Sequence, residues 1–435
     1  MTSLAAQVEL TPISLADRIN SLDVIRGIAL LGILLMNITG FGLAYAYSDP
    51  TSSGGATGWN LNVWIMDNMF FEGTMRGLFT MLFGAGFILQ TSRGEEKGGG
   101  IAVADIYYRR VLWLLLFGII HVYVMLWYGD ILYPYAIFGL MLFPVRNTAA
   151  KHLLAAGLVL LLCGSLISVK HYHDNLTLQS EGVAAATAKA QGDSLTRKEK
   201  KALGNWADFQ KQKKTEEEVE EANEKNRAGY GSIVMSRLGV NEFMQSTLVY
   251  EFWVWDILPL MLIGMAFFKW KIFQGERTKR FYLSLMLAGY AIGLSVNYYE
   301  TRMEIAGGFD LIIQSKAEQT YQLGRIFTIL GHIGLFMFFI KSGALKFLQN
   351  ALSAVGKMAL TNYLMHTVIC TTFFLGFGFG MFGKLQRYEL YYVVILIWVA
   401  QLIYSPIWLR YFKYGPAEWA WRSLTYLKKQ PFRIS

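Results

Sequence analysis

Several stretches of this chain, each of roughly 18 residues or more, carry almost no charge, and that length lets a helix cross a hydrocarbon layer of about 30 Å. This feature fixes the expected class as an all-α, polytopic transmembrane helical bundle. Composition agrees: the 435 residues are 54% hydrophobic and 16% charged, where soluble proteins carry about 25% charged residues. The formal net charge of +9 does not signal nucleic acid, because Lys and Arg gather on the cytoplasmic loops of membrane proteins.

About ten candidate spans follow from the apolar runs, at residues 22–46, 62–90, 107–128, 130–145, 152–169, 250–268, 281–298, 321–340, 357–377 and 390–412. The second is long and begins amphipathic, as a tilted or interfacial segment does. With the N-terminus inside, one set of loops collects Arg93, Lys97, Arg109, Arg110, Arg146, Lys151, Lys269, Lys271, Arg277, Lys279 and Arg280, and the C-terminal basic residues. The short loops of the opposite side hold only Arg302, Lys316, Lys384 and Arg387. This asymmetry predicts both termini in the cytoplasm and a multi-pass membrane protein. The segment before residue 20 is polar and not basic, and the first apolar run is too long for the core of a secretory signal, so no cleavable leader is expected.

The chain divides into an N-terminal membrane half (1–169), a polar segment (170–249), a C-terminal membrane half (250–412) and a basic aromatic tail (413–435). In the polar segment, "LTRKEKKALGNWADFQKQKKTEEEVEEANEKNR" alternates Lys and Glu in short blocks, the pattern of solvated helix. It is expected outside, as a cap over the bundle or a lid that gates substrate. The tail, with Trp419, Trp421, Arg422, Lys428 and Lys429, suits an amphipathic helix lying at the inner leaflet. Cys163 and Cys370 both sit in apolar runs and show no metal-ligand spacing, so they read as small buried residues. No metal and no permanently bound cofactor is expected.

Polar residues inside the spans are costly and default to functional hypotheses. In "SLDVIRGIALLGILLMN" (21–37), Asp23 and Arg26 share a helix face. Asn37, eleven residues beyond Arg26, falls on the same stripe about 16 Å higher. Glu72 and Arg76 share a face of the second span. His121, Asp130 in "YGDILYPY", Glu251 and Asp256, His332, and Asn362 with His366 add to them. Together they suggest one shared polar cavity; singly, each reads as an ion pair or interhelical hydrogen bond. The glycines of "LFGAGF" (82–87) follow no strand and are expected to allow close helix packing. Phosphate loops, nucleophile elbows and dinucleotide fingerprints are absent from the sequence.

Six ordered blocks, "RINSLDVIRGIALLGILLMNITGF", "TMLFGAGF", "HVYVMLWYGDILYPYAIFGL", "LPLMLIGMAF", "GKMALTNYLMHT" and "YGPAEWAWRSLTY", resemble the YeiB-like family of bacterial inner-membrane proteins, domain of unknown function 418. The resemblance covers nearly the whole chain apart from 170–249. The family in turn looks related to transmembrane acyltransferases, a group that includes heparan-alpha-glucosaminide N-acetyltransferase. On that resemblance Asp23, Arg26, Gly27 and Asn37 match the first helix. The His that follows the Asn in that enzyme is missing from "ITGFGLAYAYSDPTSSGG"; either another His, such as His121 or His366, takes the role from a different helix, or the acyl-transfer chemistry is not retained.

The resemblance implies an acyl-CoA co-substrate bound at the inner mouth by Asp23, Arg26, Arg109 and Arg110. It implies His121 or His366 as general base, Asp130 or Glu72 orienting it, and Asn37 stabilising the oxyanion. The acceptor would be a small molecule, glycan or lipid-like group, and the protein could form homo-oligomers. Two alternatives stay open. One is a transporter or flippase using Glu72, Arg76, Asp130 and His332 as a proton or head-group path. The other is a structural membrane protein that docks partners on its outer segment.

Overall fold

The computed structural model describes residues 18–47 and 49–434; most of the polar segment before residue 20, and with it the expectation about a leader, lies outside the described residues. These residues form helices joined by turns, with no β-strand and one isolated bridge between Phe412 and Arg433. In chain order the first helices are α1 Asn20–Gly42, α2 Gly58–Met66, α3 Thr74–Glu96, α4 Ile101–Tyr123, α5 Leu132–Leu140 and α6 Ala150–Ala190. Three follow in the polar segment: α7 Arg197–Gln210, α8 Glu216–Asn226 and α9 Tyr230–Phe243. Then come α10 Val254–Lys269, α11 Lys279–Ala306, α12 Leu311–Ala317, α13 Tyr321–Ser342 and α14 Lys346–Lys357. The last are α15 Ala359–Phe374, α16 Leu390–Tyr411 and α17 Pro416–Tyr426. Among the described residues, six helical stretches are long and apolar enough to cross a membrane: α1, α6, the continuous Tyr230–Lys269, α11, α13 and α16.

The bundle is inside-out relative to a soluble protein. Along α16, Tyr392, Ile395, Leu396, Val399, Ile403 and Ile407 are exposed, while Gln401 and Ser405 are fully buried. An apolar face turned outward and a polar face turned inward is stable in lipid, where polar groups must find protein partners. The same sign holds on α6, where Leu158, Val159, Leu162 and Leu166 are exposed and Gly157 and Gly164 buried. This is a helical membrane protein.

Helix α1 runs through the centre, buried along most of its length, with α3, α14, α15 and α16 around it. Small residues set how closely the helices approach. A Cβ on Gly84 of "LFGAGF" would collide with the Met261 carbonyl of α10, and one on Gly264 with the Met81 carbonyl of α3. The two backbones touch reciprocally, as close glycine packing allows; nothing lies near Gly86.

Three expected spans differ in form. Residues 62–90 are not one helix. A π-helical turn, Asp67–Phe71, ends α2, and Gly73 at φ +63° breaks the chain before α3. That left-handed conformation suits glycine. Residues 130–145 form only the nine-residue α5, about 14 Å long, and a 3₁₀ turn at Phe143–Val145. The third, 250–268, belongs to a longer helix in which the π-helical stretch Met244–Trp253 joins α9 to α10.

Between residues 170 and 249, α6 continues far past its apolar part, and Trp206 of α7 lies over Gly182. Capping boxes start α7 and α8: Thr196 with Glu199, and Thr215 with Glu218. The segment returns to the bundle beside the Asn37 end of α1. Lys213 pairs with Asp49 at 3.5 Å, and the Gly376 N–H donates to the Asn226 carbonyl at 3.0 Å.

Candidate functional site

Cavities enter the bundle at the Arg26 end of α1 and at the Asn37 end. The first has a volume of about 220 Å³. Asp23, buried at the start of α1, accepts from Arg26 Nη1 at 2.8 Å and lies 3.9 Å from Arg18. Arg110 of α4 lies over the Trp421 ring of α17 at 3.8 Å, and the Trp421 indole donates to the Arg110 carbonyl at 2.8 Å. Lys357 and Arg422 complete the cationic mouth, while deeper in, Phe79, Phe83, Phe87, Leu114, Tyr135 and Tyr363 make the walls. Among the described residues, the only carboxylates lining this cavity are Asp23 and Glu418. Glu418 caps α15, accepting from the Leu360 and Thr361 N–H groups at 2.6 and 3.1 Å and from the Thr361 hydroxyl. Both carboxylates are engaged, so the mouth keeps a positive excess. Arg109 lines neither cavity; it pairs with Asp105 one turn back on its own helix.

The second cavity is larger, about 480 Å³. Asn37 lines it, half-buried and with no hydrogen-bond partner among the described residues. Glu72, Asp67, Glu300, Glu304 and Glu318 also line it, opposite Arg76, Arg325 and Arg387. Glu72 accepts the Tyr321 hydroxyl at 3.2 Å, Asp67 accepts the Tyr391 hydroxyl, and Arg387 donates to the Ser53 carbonyl at 2.9 Å. Here carboxylates outnumber cations, the reverse of the Arg26 cavity. Both π-helical stretches contribute walls, through Asp67, Asn68 and Phe71 and through Met244, Leu248 and Trp253. Such stretches occur frequently at functional sites.

A thin partition separates the two. Ile131 lines both cavities. Tyr135, on the Arg26 side, donates to the carbonyl of Arg76, on the Asn37 side, at 3.1 Å, and shares a hydrogen bond with Thr80. The expected single chamber is thus two chambers back to back: Asp23, Arg26 and Arg110 open on one, Asn37 and Glu72 on the other.

His121 and Asp130 meet behind this partition and line neither cavity. Nδ1 of His121 lies 2.7 Å from Asp130 Oδ1, and Nε2 lies 2.7 Å from the Thr367 hydroxyl. A carboxylate can only accept, so Nδ1 carries a proton, and in the neutral ring Nε2 accepts from Thr367. Asp130 also accepts the Tyr133 N–H at 2.7 Å, which starts α5. Tyr363, a wall of the Arg26 cavity, packs edge-on to His121 with ring centres 5.0 Å apart and accepts the Ile131 N–H at 3.2 Å. His366 is elsewhere: Nε2 meets Gln401 at 2.9 Å between α15 and α16. His332 is held by Tyr290 at 2.8 Å and by the Phe70 carbonyl at 2.8 Å.

One cluster was not foreseen as a unit. Asp256 receives both Arg76 and Arg325. Asp256 and Arg76 stand out in sequence as polar groups in spans, whereas Arg325, the fifth residue of "YQLGRIFTILGH", is not among the candidates. Its burial, with 2% of its surface exposed, is the property that sequence does not display.

The family model described as a protein of unknown function, DUF418, matches residues 267–428. The chain is 31% identical to the uncharacterized protein YeiB of Escherichia coli over 416 residues, covering 94% of this chain and 96% of that protein. It is 30% identical to the uncharacterized protein YxaH of Bacillus subtilis over 433 residues, covering 97% and 98%. No solved structure matches the chain. Similarity that runs over nearly the whole length of both relatives makes the chain a member of the YeiB-like DUF418 family.

Proposed function

We propose that this protein is an integral-membrane acyltransferase that moves an acyl group from a cytoplasmic acyl-CoA to an extracytoplasmic or membrane-bound glycan- or lipid-like acceptor. The observation that carries this reading is the pair of unlike cavities separated by Ile131: a cation-lined mouth with an aromatic interior on one side, a carboxylate-rich chamber on the other. A phosphorylated donor suits the first, because Arg and Lys bind phosphate through charge-assisted hydrogen bonds, and its acyl arm suits the aromatic walls.

The topology that serves this reading has about ten spans, both termini in the cytoplasm and residues 170–249 outside, in the bacterial inner membrane. It is supported by the basic residues at one level of the bundle. Lys269, at the end of α10, donates to the Arg146 and Thr148 carbonyls at 2.7 and 2.8 Å, and Arg146 pairs with Glu95 of α3 at 2.7 Å. The short segment around α5 then crosses together with the 3₁₀ turn that follows it.

In the reaction, Arg26, Arg18, Arg110 and Arg422 hold the donor phosphates, and the thioester reaches the partition. The acceptor oxygen or nitrogen bonds to the thioester carbon, the carbon–sulfur bond breaks, and the acceptor proton passes to His121 and on to the departing thiolate. Asp130 keeps the His121 lone pair on Nε2, as the carboxylate does in triads. Asn37 donates to the developing oxyanion. Because His121 lies one layer behind the partition, transfer requires Tyr363 or Ile131 to move aside. The deciding experiment is binding of acetyl-CoA and longer acyl-CoAs to the purified protein, followed by transfer in vesicles. Absence of binding across that panel overturns the reading.

A transporter or flippase is the second reading, favoured by the closed partition itself: two chambers that do not communicate resemble one half of an alternating-access cycle. It becomes the first reading if acyl-CoA does not bind.

A further inference from the structure

We infer that Arg325 and Arg76 form an anion subsite in the Asn37 cavity, one that takes a phosphate group of the ligand bound there; if the acyltransferase reading holds, the acceptor is a phosphorylated molecule. Two guanidinium groups converge on one carboxylate, Asp256, which leaves one positive charge over within the cluster. Arg325 is 2% exposed, lines the cavity, and its Nε has no hydrogen-bond partner among the described residues. Its Nη1 pairs with Asp256 Oδ1, and Nη2 is held by Gln322. A buried guanidinium with its Nε–H unused is expensive unless something supplies an acceptor.

The depth sharpens the point. Asp256 lies thirteen residues, about 20 Å, along α10 from Lys269, well inside the bundle. Gly73 makes room for the arrangement: a Cβ there would strike the Tyr321 hydroxyl and the Arg325 side chain. Aromatic rings flank both cations, Trp253 at 5.4 Å from Arg76 and Tyr321 at 5.0 Å from Arg325. A planar guanidinium so fixed presents its donors in the fork that suits phosphate. Carboxylates elsewhere on the wall, Glu300 and Glu304 on one face of α11, can accept from ligand hydroxyl or amino groups. They also keep bare polyanions out, which makes a phosphate ester a better occupant than a nucleotide tail.

The test uses the full-length protein in nanodiscs. Binding of glycerol 3-phosphate reads a soluble phosphate ester, and native mass spectrometry reads retained phosphatidylglycerol against phosphatidylcholine. Arg325→Lys and Arg76→Lys keep the charge and lose the fork; Gly73→Ala keeps both arginines and crowds them. Size-exclusion profile and melting temperature identify variants that fold. Either glycerol 3-phosphate or phosphatidylglycerol binds the wild type, and each folded variant weakens that ligand at least tenfold; which ligand it is separates the free from the lipid-borne source. The subsite is overturned if neither ligand binds, or if the folded variants bind as the wild type does. Should both Lys variants fail to fold, Gly73→Ala decides by the same criterion, and failure of glycerol 3-phosphate and phosphatidylglycerol to bind the wild type overturns it without any variant. Acyl-CoA binding is measured on the same samples. Acyl-CoA without phosphate ester refutes the subsite and spares the acyltransferase reading; phosphate ester without acyl-CoA does the reverse.

Discussion

His121 and Asp130, nine residues apart, close a 2.7 Å hydrogen bond with no solvent exposure at the imidazole, and Thr367 completes the chain from a helix 246 residues away. Neither ring nitrogen is left free. The pair therefore holds α4, the start of α5 and α15 together at the partition, whatever else it does there.

Removing His121 leaves a buried carboxylate and a buried hydroxyl without their shared partner. His121→Ala should destabilise the protein by about 1–3 kcal/mol, and Asp130→Asn by a similar amount. If His121 is also the base, His121→Gln, which keeps some hydrogen bonding, restores much of the melting temperature and none of the acyl transfer. Thermal unfolding and a transfer assay on the same preparations separate the two roles. Full activity in His121→Gln removes His121 as the base.

Arg26 lines the cationic mouth and Arg109 does not, although both are basic residues near the same end of the bundle. Arg26→Gln should weaken acyl-CoA binding at least tenfold, since a charge-assisted hydrogen bond contributes roughly 1.5–3 kcal/mol. Arg109→Gln should leave it within about twofold, because its surface ion pair is worth at most about 1 kcal/mol. Titration of both variants with acyl-CoA checks the contrast, and an equal loss in the two would show that only general charge matters.

Gly84 and Gly264 face backbone carbonyls across the α3–α10 contact, while Gly86 faces open space. Gly84→Ala and Gly264→Ala should each cost roughly 1–3 kcal/mol by overpacking, more where the backbone cannot yield. Gly86→Ala should be neutral or slightly stabilising in a helix. Monodispersity and melting temperature in detergent give the comparison.

Hydrogen bonds within the capping boxes hold two carboxyls of the polar segment below their ordinary range. For Glu199 the leading cause is the Thr196 hydroxyl, and for Glu218 the Thr215 backbone N–H. A carboxyl whose pKa is lowered on folding adds stability above its unfolded value and loses it as pH falls through the folded one. The first turns of α7 and α8 should therefore fray on acidification while the apolar helices persist. Hydrogen exchange of residues 196–226 between neutral and mildly acidic pH measures this, and Glu199→Gln with Glu218→Gln should flatten the response.

By itself the sequence determined the solvent and the local geometry. Charge-poor runs imply helices in lipid because the backbone must satisfy itself there. The three-residue spacing of Asp23 and Arg26 puts them in contact on any helix, and the boxes at Thr196 and Thr215 follow from side chains three residues apart. Costly polar residues could be picked out one at a time for the same reason. Only the tertiary structure decided which of them meet. Arg76 finds Asp256 at a separation of 180 residues and His121 finds Thr367 at 246. Arg26 and Asn37, on one stripe of one helix, open into different chambers that share Ile131 as a wall. Helical periodicity fixes the direction a side chain takes from its own axis; what stands opposite depends on how closely the other helices approach, and here glycines at Gly73, Gly84 and Gly264 set that distance.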